Sequence, residues 1–163
     1  MISLLKKLMD YKNIDGYIIP KNDEFFSEYS FPNRLKSISN FTGSAGMAII
    51  LKNKNFLFVD GRYTEQASIE SGKKFKIFEI PKIRPFYILK KEKEKLRLGF
   101  DPKLFTETSL KSNFRDSCNL VPISNNLIDE IFNLKNNYKS KEFYCLSETV
   151  VGEKITSKLK KLS

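Results

Sequence analysis

Apolar residues recur with two different periods along the chain, and the switches between them mark out its elements. Ile2, Leu5, Leu8 and Met9 fall at helical spacing with Lys6, Lys7 and Asp10 between them, so the chain opens on a short amphipathic helix. Asp15-Gly16 turns it into Tyr17-Ile18-Ile19, a compact strand closed by Pro20. Residues 21–32 form a long connection rich in acids and aromatics, and 33–38 predict a helical turn. Two apolar runs, 47–51 and 56–59, joined by the tight turn Asn53-Lys54-Asn55, predict an antiparallel hairpin. Asp60-Gly61 ends its second strand, and a helix follows over 63–71, stopped at Gly72.

The pattern then alternates. Residues 75–80 read as a strand, 85–95 as a helix, 98–101 as a strand, 107–114 as a helix capped by Thr106, 118–121 as a strand and 126–132 as a helix. Strands alternating with helices, plus one hairpin, give an α/β domain: a mixed β-sheet with helices on both faces. After Phe132 the texture changes. Residues 133–142 are polar and lysine-rich, a linker; 143–146 predict a strand; and 153–162 are amphipathic again, with Ile155, Leu159 and Leu162 on one face. The division expected is therefore a domain over 1–140, with 141–163 a linker and the beginning of a second, truncated domain. The other reading is a terminal helix that docks back on the first domain.

Composition narrows the chemistry. Among 163 residues, 40% hydrophobic, there is no histidine. That removes serine triads, thiol–imidazole pairs and most zinc sites, and leaves carboxylate-only magnesium sites and paired-carboxylate chemistry. Lys and Arg number 29 against 19 acids, a formal net charge of +10. The basic residues run along the whole chain with one dense stretch at 90–97, KKEKEKLR, whose alternating sign reads as a solvated face rather than a phosphate track. No nucleic-acid partner is expected from it. Cys118 and Cys145 lie far apart in apolar contexts, which suits reduced, buried thiols. No apolar run approaches the roughly 18 residues of a membrane span, and the opening residues become charged too soon for a signal peptide, so no membrane is expected and the chain reads as cytoplasmic.

Three segments carry candidate chemistry. In the loop Phe41-Thr42-Gly43-Ser44-Ala45-Gly46, the glycines permit close approach of another chain or ligand. It lacks the phosphate-loop pattern, and no imidazole is available to activate Ser44. Asp60-Gly61-Arg62-Tyr63 sits at a strand-to-helix junction, where Asp60 caps the first turn and Arg62 is placed to pair with a carboxylate from another segment. Asp23, Glu24, Glu28 and Tyr29 lie at irregular spacing beside Phe25, Phe26 and Phe31, a pattern of partner contacts more than of a magnesium site.

Read together, DGYIIPKNDEFFSEY (15–29), RLKSISNFTGSAGMAII (34–50), FVDGRYTEQA (58–67) and NLIDEIF (126–132) resemble, in that order, the N-terminal creatinase-like domain of the Xaa-Pro aminopeptidases (aminopeptidase P). The chain departs from that pattern at Phe132, where the family usually carries Trp, and in lacking an Arg-Pro pair after it. The resemblance implies a ribonuclease-H-like α/β fold without catalysis of its own. It further implies that a C-terminal dimetal domain, with two manganese ions in the full-length enzyme, removes the N-terminal residue from peptides whose second residue is proline. The implied partners are that catalytic domain and a second copy in a homodimer, with the N-terminal domain helping to wall the active-site entrance. The positions carried over are Tyr29, Arg34, Phe41, Gly43, Ser44, Gly46, Asp60, Gly61, Arg62 and Tyr63, none catalytic and none a metal ligand. Arg34 and the loop 41–46 are the expected surfaces toward a catalytic domain. The competing function is a stand-alone protein-interaction module without enzymatic activity.

Overall fold

Two separate cores explain why the central strands read as unbroken apolar runs. In β1 (Gly16–Pro20), Tyr17 and Ile19 enter one core and Ile18 the other; in β2 (Gly46–Leu51), Ala48 and Ile50 oppose Met47, Ile49 and Leu51; in β3 (Asn55–Asp60), Leu57 and Val59 oppose Phe56 and Phe58. A strand covered on both faces has no solvated side on which to alternate polar residues. The computed structural model describes residues 1–27, 29, 31–133, 142 and 144–162.

With β4 (Lys76–Ile80), β5 (Arg97–Phe100) and β6 (Asn119–Pro122), these strands form a six-stranded sheet in the order β4-β3-β2-β1-β5-β6. β2 runs antiparallel to both neighbours and every other pairing is parallel, so the sheet is mixed, as expected. On one face pack α1 (Ile2–Tyr11), α2 (Arg34–Ser39), α3 (Thr64–Ser71) and α6 (Leu127–Phe132), through Leu5, Met9, Leu35, Ile38, Ala67, Leu127 and Ile128. On the other, α4 (Pro85–Leu89) and α5 (Glu107–Phe114) contribute Leu89 and Phe114. Thr106 and Ser109 close a reciprocal capping box on α5, satisfying two amides of its first turn.

The helix expected over 85–95 ends at Leu89. The following stretch of Lys and Glu has good intrinsic helix propensity but brings no apolar face to the core until Leu96, and a short helix without tertiary packing is not stable. Of the strand expected at 143–146, Phe143 lies outside the described residues, and Tyr144 to Leu146 are not in a strand. α7 (Glu148–Val151) and α8 (Ile155–Leu162) follow, and neither buries a residue. The two thiols part company: Cys118 is buried, and desolvation pushes its pKa up to about 11, whereas Cys145 is exposed, contrary to the expectation of two buried thiols. Among the described residues no helix is long and apolar enough to cross a membrane.

Candidate interdomain surface

α2 ends on Asn40, whose left-handed backbone (φ 66°) turns the chain back toward the sheet. The Phe41 N–H donates to Ser39 Oγ at 3.1 Å, and that hydroxyl donates to the Leu35 carbonyl at 2.7 Å, so Phe41 is driven inward and fully buried. Its ring then dictates the glycines around it. A Cβ on Gly43 would overlap the Phe41 ring, and one on Gly46 would meet the Phe41 ring, Leu35 and the Phe58 carbonyl at 3.1–3.2 Å. The two glycines are thus explained by the aromatic ring they enclose, without appeal to a ligand.

The loop is also clamped from α3. The Thr42 N–H and hydroxyl each donate to Glu70 at 2.7 Å, and Gln66 Nε2 donates to Thr42 Oγ1 at 2.7 Å. Desolvation, the largest single influence on Glu70, opposes its ionisation, but the Thr42 and Gln66 donors together outweigh it and hold the carboxyl below its ordinary range. Ser44 Oγ lies 2.8 Å from Tyr63 Oη, and the Tyr63 ring meets Phe41 edge-on, centroids 6.0 Å apart. Asp60 accepts from the Arg62 N–H at 3.0 Å and from Arg62 Nε at 2.9 Å, which lowers its pKa. Arg62 thus pairs with Asp60 within its own junction, and its guanidinium also lies 5.5 Å from the Tyr63 ring centre. Ser44, Gly46, Asp60, Gly61, Arg62 and Tyr63 are half-buried or exposed and form one patch, whereas Phe41 and Gly43, expected as contacts toward another domain, are buried in the core against it.

Arg34 belongs to different machinery. Its Nε and Nη2 reach the two carboxylate oxygens of Asp129 at 2.6 and 2.7 Å, a bidentate fork tying α2 to α6. The residue is 5% exposed, so the expectation of a surface guanidinium facing a neighbouring domain gives way to an internal tie. Burial alone would lower the guanidinium pKa; the Asp129 bonds outweigh it and keep the charge in place. Tyr29 stands apart and 85% exposed, its N–H donating to Ser27 Oγ. Within the acid–aromatic loop, Asp23 is buried and accepts the Phe25 and Ser27 N–H groups at 3.0 Å each, which makes it the loop's organiser; Glu28 lies outside the described residues. Sequence reasoning did not single out Asp129, Glu70 or Gln66. The i,i+4 spacing of Gln66 and Glu70 on α3 was the available signal for the last two.

A groove of about 390 Å³ runs beside the patch at the carboxyl ends of β1, β3 and β4, lined by Phe26, Gly46, Met47, Asp60, Ile80 and Leu104 among others. Open α/β sheets use this end for ligands and contacts. A second, polar cavity of about 650 Å³ is lined by Glu24, Arg34, Asp101, Asn126 and Asp129 among others. Of its acids, Asp129 is bound to Arg34, and Asp101 accepts from Asn126 Nδ2 at 2.9 Å and from the Lys103 N–H at 3.0 Å. Among the described residues no group of three or more His, Cys, Asp or Glu side chains is placed to hold an ion.

The creatinase/prolidase N-terminal domain model matches residues 1–131. A probable Xaa-Pro aminopeptidase P of Coprinopsis cinerea is 29% identical over 172 residues, covering 99% of this chain and 28% of its own length. One from Neosartorya fischeri is 34% identical over 142 residues, covering 80% of this chain and 22% of its own length. Among solved structures, the X-prolyl aminopeptidase of Caenorhabditis elegans, described as a cytosolic enzyme with a di-nuclear active site, superposes with a TM-score of 0.78 at 23% identity, over 99% of this chain and 29% of that one. The chain thus spans between a fifth and a third of the length of these proteins.

Proposed function

The chain belongs to the creatinase/prolidase N-terminal domain family, and from that premise we propose that it serves as the non-catalytic N-terminal domain of a Xaa-Pro aminopeptidase. The observation that carries the reading is the coverage: nearly all of this chain aligns with little more than a quarter of a probable Xaa-Pro aminopeptidase P. The chemistry agrees. Attack on the bond before proline calls for an activated hydroxide; in the polar cavity Asp129 is bound to Arg34, and Asp101 accepts from Asn126 and a backbone amide. In this reading the dimetal centre, with manganese as its metal, belongs to a separate catalytic domain of a cytoplasmic, homodimeric enzyme. The domain over 1–140 walls its entrance, and 141–163 lead into a second domain.

The surface offered to that neighbour is the patch of Ser44, Gly46, Asp60, Arg62 and Tyr63, with exposed Tyr29 and Phe25 on the loop over 21–32. Phe41 and Gly43 pack against it from the core side, so that it presents a fixed shape. The test is an assay of the purified chain against peptides with proline second, with manganese added. No metal-dependent release of the first residue is expected; manganese-stimulated turnover that persists through repurification would overturn the assignment.

A further inference from the structure

The far edge of the sheet has features that the entrance-wall role does not use. β4 ends the strand order, pairing with β3 on one side, and no strand among the described residues pairs on the other. Half the amide and carbonyl groups of such a strand point outward, a template for another extended chain. Beside the edge lies a groove of about 380 Å³ lined by Asn55, Phe56, Phe78 and Ile88, by Lys76 and Lys91, and by Lys54 and Glu92, which pair with each other at 2.8 Å. Lys76 projects over the Phe78 ring, its Nζ 5.5 Å from the centre. Lys73 and Lys74, in the turn leading into β4, are exposed, and with Lys91 they form no ion pair among the described residues. Dispersed in the sequence, these lysines are gathered by the topology: the β2–β3 turn, the α3–β4 turn and the segment before β5 all fall at the same end of the sheet.

We propose that the β4 edge is a docking site for an extended, acidic polypeptide segment, which adds to the sheet as a further strand. Its carboxylates meet Lys74, Lys76 and Lys91, and an apolar side chain lies over Phe78. Charge decides the occupant. A second copy of this chain would bring the same lysines against themselves, which is how edge lysines suppress self-pairing. An acidic partner turns that repulsion into attraction, and strand addition supplies main-chain hydrogen bonds that a nucleic acid cannot make.

The experiment measures fluorescence anisotropy of a labelled, end-blocked peptide of alternating Glu and Val, about eight residues long to match a strand, with amide NMR of the chain. The acidic peptide is expected to bind, weakening with salt, and to shift the amide signals of residues 76–80. A peptide with Lys in place of Glu is expected not to bind. One with Pro replacing alternate Val is expected to bind about tenfold more weakly, because Pro cannot donate to the ladder. The surface double variant Lys74→Glu with Lys91→Glu touches no core residue and is expected to lose about tenfold in affinity. Equal binding of the Pro peptide, equal or tighter binding of a single-stranded oligonucleotide of matched charge, or shifts confined to other strands would each overturn the proposal.

Discussion

Gly43 shows how a single position in the candidate surface is dictated by its surroundings. Its φ is not in the left-handed region, so freedom of the backbone is not what the site needs. What it needs is the absence of a side chain, since a Cβ would overlap the buried Phe41 ring on several atoms. Phe41 is fully buried and braced against Tyr63, so it has little room to yield. Gly43→Ala is therefore expected to destabilise the fold by about 1–3 kcal/mol, the usual result of overpacking a filled core. Urea unfolding reads this directly, and a change smaller than about 0.5 kcal/mol, within the range of ordinary surface substitutions, would show that the ring can move aside. Ser44, one residue on, contributes a polar contact to Tyr63 rather than a nucleophile.

At the scale of elements, two ties hold the short helices in place, and they respond to different perturbations. The Arg34–Asp129 fork joins α2 and α6, each of only six residues and each too short to persist unaided. Removing one partner leaves a poorly solvated charge, so Arg34→Ala is expected to cost about 2–4 kcal/mol, discounted from a fully buried pair because Asp129 is 28% exposed. The double variant with Asp129→Ala is expected to recover part of that loss; strictly additive costs would mean that the fork contributes no coupling. The Thr42–Glu70 clamp responds to pH. Glu70 has a folded pKa below the ordinary 4.5, so its stabilisation is complete above about 4.5 and fades as pH falls through the lower folded value. The difference in urea midpoint between the parent and Glu70→Gln is expected to persist at neutral pH and to shrink at the acid end; a gap unchanged with pH would remove the carboxylate from the account.

Much at this scale was legible beforehand. The hairpin at Asn53–Asn55 and the Thr106 cap are announced by local turn and capping chemistry, and both are where the sequence puts them. What escaped was non-local. That Arg34 would meet Asp129, 95 residues away, and that Glu70 would receive Thr42 depend on how the elements pack, which no window of sequence displays. The helix over 85–95 failed for a related reason: propensity favoured it, but no core was there to hold its second half.

For the whole molecule, the proposed division near residue 140 has a physical consequence. Among the described residues, both cores draw their buried members from positions 5 to 128, and α6 closes on Asn133 in a left-handed cap. α7 and α8 bury none, and Ile155, Leu159 and Leu162 remain 73%, 58% and 85% exposed. Stabilisation by burial scales with area at about 25 cal/mol per Å². Side chains left this open contribute little to either core. A chain shortened to residues 1–133 is accordingly expected to unfold at the same urea midpoint as the full chain, within about 0.5 kcal/mol, and with the same m-value to within the usual error. If the shortened chain instead loses more than about 1 kcal/mol, beyond what removal of exposed surface accounts for, the terminal helix docks on the first domain in solution. Its apolar face would then be an internal contact, and 141–163 would not lead into a second domain.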